Sequence, residues 1–168
     1  NPNGASGLAG LSYRFKVYDR AGVLIVEKRG VTYINVRERA VLYEPTVPMG
    51  SRTPARTIVE FVPPKWVHVS TSSPKTLGVD FLRYFSAPGP RLEADISHRE
   101  VFPVEEIEAT ALLLDSDGNV LGVSRTVVDS LRPGLVRRLV FTWPDAFESP
   151  VAHQEVFLRL NGVSSAAD

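Results

Sequence analysis

The sequence predicts an all-β protein organised as two β-sandwich domains in tandem. Three observations carry that expectation. Apolar residues recur with period two, turn-forming clusters separate the alternating runs, and the second half repeats the pattern of the first. An extended chain points successive side chains to opposite faces, so an alternating run buries one face and wets the other. The chain has 168 residues. That is enough for one domain or two small ones, since domains commonly run about 100–150 residues.

Taken in order, residues 11–18 place Leu11, Tyr13, Phe15 and Val17 on one face and Ser12, Arg14 and Lys16 on the other. Residues 91–97 repeat this, with Leu92, Ala94 and Ile96 alternating with Arg91, Glu93, Asp95 and Ser97. Further strands are predicted at residues 77–84, 107–114, 120–128, 136–143 and 154–160. Turn chemistry lies between them: Ala87-Pro88-Gly89-Pro90, Asp117-Gly118-Asn119, Arg132-Pro133-Gly134 and Glu148-Ser149-Pro150. Residues 104–114 carry Glu105, Glu106 and Glu108 and could be taken for a helix, but they lack a cap and run straight into a turn.

Displacing the chain by 96 positions superposes Leu11 on Ile107, Tyr13 on Ala109, Phe15 on Ala111, Val17 on Leu113 and Asp19 on Asp115. The match continues through Gly22/Gly118, Leu24/Val120, Arg29/Arg125 and Val31/Val127, and pairs Pro54 with Pro150 before each last strand. The predicted domains are residues 1–63 and 76–161, joined by a Pro/Ser/Thr-rich linker at 64–75 and followed by a tail at 162–168. Within the linker, Trp66-Val67-His68-Val69 alternates and could pack against a domain.

The same displacement puts the counterparts of strands 77–84 and 91–97 ahead of Asn1. The first domain is therefore expected to lack its first two strands here. Such a sandwich exposes apolar surface and an unpaired edge. Either the chain is a fragment of a longer protein, or a partner supplies those strands by β-addition to the first domain.

Chemistry is sparse. Nineteen basic and nineteen acidic residues cancel, which argues against nucleic acid as a partner. With no cysteine, thiolate metal sites, disulfides and cysteine nucleophiles are excluded. No apolar run approaches the ~20 residues of a membrane helix. The motif Asp115-Ser116-Asp117-Gly118-Asn119 resembles the start of a calcium loop, but its glycine is fourth and the twelfth position is Thr126. The matching Asp19-Arg20-Ala21-Gly22 keeps only what a tight hairpin needs. His68, His98 and His153 lack ligand spacing, Ser124 is not in a nucleophile elbow, and Glu106 and Glu108 are expected to share a wetted strand face. No catalytic residue, metal ligand or cofactor is predicted. The interaction candidates are Trp66, as a junction plug or a ligand contact, and Arg132, Arg137 and Arg138, clustered at one end of the second domain. Trp143 ends the Leu139-Phe141-Trp143 stripe and is expected in the core.

The elements Ala111-Leu112-Leu113-Leu114-Asp115, Gly118-Asn119-Val120, Pro133-Gly134 and Val140-Phe141-Thr142-Trp143 resemble bacterial immunoglobulin-like domains of the cell-adhesion-related and FxLYD kinds. In the first domain Val36-Arg37-Glu38-Arg39 stands where those domains carry Pro-Gly. The tandem also looks like envelope-associated bacterial proteins that carry a membrane anchor upstream. The resemblance implies an extracytoplasmic, non-catalytic role in structure or adhesion. Contacts would be made to a protein partner or neighbouring copies, and to a membrane only through an anchor outside this chain. The alternative is a carbohydrate- or ligand-binding module of a larger secreted protein, which needs an exposed aromatic platform.

Overall fold

Alternation becomes strand almost wherever the sequence carries it. The computed structural model describes residues 1–68 and 77–160, and every regular element in them is a strand. The strands are β1 (Ser6–Tyr18), β2 (Leu24–Ile34), β3 (Arg56–Phe61), β4 (Val67–His68), β5 (Leu77–Phe85), β6 (Arg91–His98), β7 (Val104–Leu114), β8 (Val120–Leu131), β9 (Arg137–Thr142) and β10 (His153–Arg159). The chain divides into two units, whose described parts are residues 1–68 and 77–160. Most of the predicted linker, residues 69–75, lies outside the described residues, as does the tail.

The second unit has two three-stranded antiparallel sheets, ordered β10-β7-β8 and β5-β6-β9. They enclose one core. From β6 come Leu92, Ala94 and Ile96, and from β9 Leu139 and Phe141; these meet Ile107, Ala109, Ala111 and Leu113 of β7 and Val128 of β8. Burying each large apolar side chain contributes roughly 1.5–3 kcal/mol. The alternation of β6 is complete, with every second residue buried and Glu93 and Asp95 turned outward. In β7 it is interrupted. Glu106 takes a left-handed backbone (φ 53°), so Val104 and Ile107, three residues apart, are both buried. Strict alternation therefore breaks at Glu106, while Glu106 is exposed and Glu108 half-buried beside Arg125, both away from the core.

The first unit has one antiparallel sheet. Its path is β2-β1-β3, with β4 paired to the start of β1 through Ser6↔His68 and Gly7↔Val67. Val67 and His68 of the alternating segment thus add a two-residue strand to this sheet, with Trp66 just ahead of it. Here β1 begins at Ser6, five residues ahead of the predicted start.

The two units share a hairpin residue for residue. Leu11 pairs with Thr32 and Val17 with Val26 in the first; Ile107 pairs with Val128 and Leu113 with Gly122 in the second. Each is displaced by 96. Both ladders slip at the same place, between Val17 and Tyr18 and between Leu113 and Leu114. After β2 and β8 the displacement becomes 97. Tyr18 pairs with Arg56 and Leu114 with His153, and the amides of Ala55 and Ala152 each donate to the carbonyl of Tyr18 or Leu114 at 2.8 Å. The sequence pairing of Pro54 with Pro150 is therefore one residue out of step. The extra residue sits at the end of β8, which is 12 residues long against 11 in β2. The following turn keeps its shape: Val36-Arg37 stands where Pro133-Gly134 does, with φ +52° at Arg37 and +69° at Gly134.

Candidate interaction surface

The surface is built by strands whose two faces differ in chemistry. In the second unit, the outer face of β5-β6-β9 carries charge. Arg138 donates from Nε and Nη2 to the two carboxylate oxygens of Asp95 at 2.7 and 2.8 Å, and its Nη1 lies 3.8 Å from Glu93. The hydrogen bonds from Arg138 hold the Asp95 carboxyl below the ordinary aspartate range and raise Arg138 itself. Beside them, the guanidinium groups of Arg83 and Arg91 lie 4.7 and 4.3 Å from the ring centroid of Phe85. Arg137, next along β9, reaches the carbonyl of Ser130 at 3.4 Å. Arg132 is exposed in the turn that closes on Leu135. The three arginines thus share one end of the unit, but Arg138 is engaged with Asp95 while Arg132 and Arg137 flank the β8–β9 connection.

The aromatic candidates separate. Trp66 belongs to the first unit and is 52% exposed. Trp143 packs against the core of the second unit, edge to face with Phe147 at 5.9 Å. Its indole lies over Gly122, where a Cβ would come within 2.7 Å of Trp143 Nε1 and Phe147. Of the two tryptophans, Trp66 is the exposed one.

The calcium-like segment is a hairpin turn. Asp115 Oδ1 accepts the amides of Asp117 and Asn119 at 2.9 and 2.8 Å, and Oδ2 accepts Asn119 Nδ2 at 2.9 Å. These donors, the Asn119 side chain foremost, hold the Asp115 carboxyl below its ordinary range. In the first unit Asp19 Oδ1 accepts the Val23 amide at 2.9 Å, and Gly22 and Gly118 both have φ near +80° (78° and 82°). The repeated Asp and Gly serve the turn.

Of the histidines, His68 and His153 are exposed. His98 is buried, with Nδ1 accepting the Glu100 amide at 3.2 Å. No group of three or more His, Asp or Glu side chains among the described residues is placed to hold a metal. A cleft of about 390 Å³ opens between the β5–β6 turn and the loop before β10, lined by Tyr84, Ser86, Phe147, Glu148 and Val151 among others. Burial pushes the Tyr84 phenol up. Its lining holds one carboxylate, Glu148, and no histidine.

Sequence reasoning did not single out the apolar side of β3. Val59 and Phe61 pair with Phe15 and Tyr13 across the ladder and share their face. They are 41% and 51% exposed. The counterparts in β10, Val156 and Leu158, pack against the core of the second unit. Period-two alternation in residues 57–61 was available as a signal; what covers it was not. No helix among the described residues is long and apolar enough to cross a membrane. Compared with known protein families, curated proteins and solved structures, the chain finds no match.

Proposed function

We propose that this chain is a non-catalytic structural or protein-interaction module of a bacterial cell-envelope or surface protein, built from two immunoglobulin-like domains. The observation that carries the reading is the exposed apolar pair Val59 and Phe61 on β3, because their counterparts Val156 and Leu158 pack against a core and exposed apolar side chains side by side suit contact with another protein. The order β5-β6-β9 facing β10-β7-β8 supports an immunoglobulin-like arrangement for the second unit. Function is then display and contact. Strand β3 holds Val59 and Phe61 side by side, and Trp66 stands exposed just ahead of β4.

Fractionation of the source cells, with immunodetection of the native protein, tests this reading. Recovery with the envelope or at the cell surface is expected, and recovery with the cytosolic enzymes would overturn it. Trp66 favours a second reading, a carbohydrate-binding accessory module, because an exposed indole stacks on sugar rings. A glycan array probed with the protein and with Trp66→Ala discriminates the two. Binding lost in the variant would establish the second.

A further inference from the structure

We propose that one end of the second unit docks on an anionic phospholipid bilayer, its exposed apolar side chains entering the interface and its arginines meeting the headgroups. Two loops make that end. Residues 99–103 run from β6 to β7, and residues 132–136 from β8 to β9. In one sheet Ile96, near the end of β6, pairs with Arg137 at the start of β9. In the other, Val104 at the start of β7 pairs with Leu131 at the end of β8. Both loops therefore cross between the sheets at the same end, and each begins and finishes beside the other on neighbouring strands, about 4.8 Å apart.

Four large apolar side chains project there. Val101 is 82% exposed, Phe102 78%, Leu135 54% and Val136 61%. The backbone holds them out. His98 and Val104, on either side of the first loop, are buried, and His98 Nδ1 accepts the Glu100 amide at 3.2 Å. Pro103 biases Phe102 towards extended backbone. In the second loop the Leu135 amide donates to the Arg132 carbonyl at 3.2 Å, with Gly134 at φ +69°. Loops this short, anchored at both ends, keep their tips from the core.

The charges say what meets those tips. Arg99 and Arg132 are exposed and form no ion pair with any described residue, and Arg137 donates to the Ser130 carbonyl at 3.4 Å. The half-buried Glu100 is the one acid in the two loops. The opposite end of the unit is the reverse. Residues 86–90, 115–119 and 143–152 carry Asp115, Asp117, Asp145 and Glu148 and no lysine or arginine. None of their large apolar side chains is exposed. An anionic surface attracts the first end and repels the second, which orients the unit. A bilayer also suits projecting side chains because it needs no matching pocket. The tips enter the headgroup region while the loop backbone stays hydrated, and each arginine lays its stem along apolar surface with the guanidinium at the phosphates. Membrane contact was expected only through an anchor outside this chain; this end adds a contact made by the folded chain itself. It shares no residue with the β3 surface and does not depend on it.

The test is co-sedimentation of the full chain with vesicles of phosphatidylcholine containing about 30% phosphatidylglycerol, at low ionic strength. Binding is expected, weakened about tenfold or more on phosphatidylcholine alone and in about 0.5 M salt, where screening acts within a few ångströms. Phe102→Asp and Leu135→Asp, at exposed sites, are each expected to weaken it about tenfold or more with an unchanged Tm. Arg99→Gln combined with Arg132→Gln is expected to do the same, and Asp117→Asn at the far end to change nothing. No binding to the anionic vesicles overturns the proposal. Binding that survives both aspartate variants does so too, since charge alone would then hold the protein. A fall in Tm in both variants also overturns it, because the side chains would be packed in the free protein. So does a dimer of the free chain in sedimentation that Phe102→Asp abolishes, since a second copy would then be the occupant. None of these results moves the fractionation experiment, so failure here is separable from failure of the interaction reading.

Discussion

In β7, Ile107, Ala109, Ala111 and Leu113 lie wholly inside a core shared by two sheets. In β1 the same positions are Leu11, Tyr13, Phe15 and Val17, and they belong to a unit with a single sheet. The side chains differ as the surroundings do. Alanines in the middle of β7 let the facing sheet approach, as close packing between sheets about 10 Å apart requires. In β1 two aromatic rings take their place, edge to face at 5.7 Å, and the Tyr13 ring lies across Gly30. The rings shelter one another where no second sheet is found among the described residues. One hairpin register thus supports two packing solutions, and backbone pairing does not decide which.

The largest effect that could break this comparison is a core truncation made at matched positions. Ile107→Ala is expected to destabilise the second unit by about 3–4 kcal/mol, and Leu11→Ala the first by about 2 kcal/mol, because a one-sheet site collapses more easily around the lost volume. Urea unfolding followed by hydrogen exchange resolves the two units, and equal costs would contradict the difference. Next, Gly122→Ala drives a methyl into Trp143 and Phe147, with an expected cost of about 1–3 kcal/mol from overpacking. A smaller contrast compares the last strands. Leu158→Ala is expected to cost about 1–2 kcal/mol, while Phe61→Ala, at an exposed counterpart, stays within about 0.5 kcal/mol.

Smaller again is the turn. Arg37→Gly relieves a left-handed backbone that its counterpart gives to glycine, and is expected to stabilise by up to about 1 kcal/mol in thermal unfolding. The smallest effects are electrostatic, since the pairs are exposed. Asp95 has a folded pKa below its unfolded one. Its contribution is present at neutral pH and is lost as pH falls through the ordinary aspartate range to the lower folded value. Lys16 is raised, chiefly by its hydrogen bond to Glu60 at 2.8 Å. Its contribution holds below the ordinary lysine range and disappears as pH rises through the folded value. Acid titration of Asp95→Asn should therefore flatten the second unit's acid limb, and Lys16→Met the first unit's alkaline limb.

Much of the fold was legible because strand alternation and hairpin turns are local. Residues 91–97 announce β6 to within one residue, and Asp115 with Gly118 announces the turn that the backbone makes. Two features were not. Glu106 sits in a run that reads as strand throughout, and its left-handed backbone reflects how Val104 and Ile107 both reach the core. The one-residue growth of β8 was invisible because Pro54 and Pro150 offered a plausible alignment, while the displaced residue changes only non-local pairing. The candidate site was legible only in part. Trp66 was picked out by type, but Val59 and Phe61 look like any buried strand residues until their facing layer is inspected.

By itself the sequence determined the all-β class, the strand and turn positions and the internal repeat, because periodicity and turn chemistry act over a few residues. It also limited the chemistry, through the absence of cysteine and the balance of charge. Tertiary structure decided the layers: that Trp143 is covered and Trp66 open, that Arg138 is engaged with Asp95, and that Val156 and Leu158 of β10 pack against a core while Val59 and Phe61 of β3 stay exposed. Burial is a property of what lies about 10 Å across a sheet face, and no pattern within a strand carries that information.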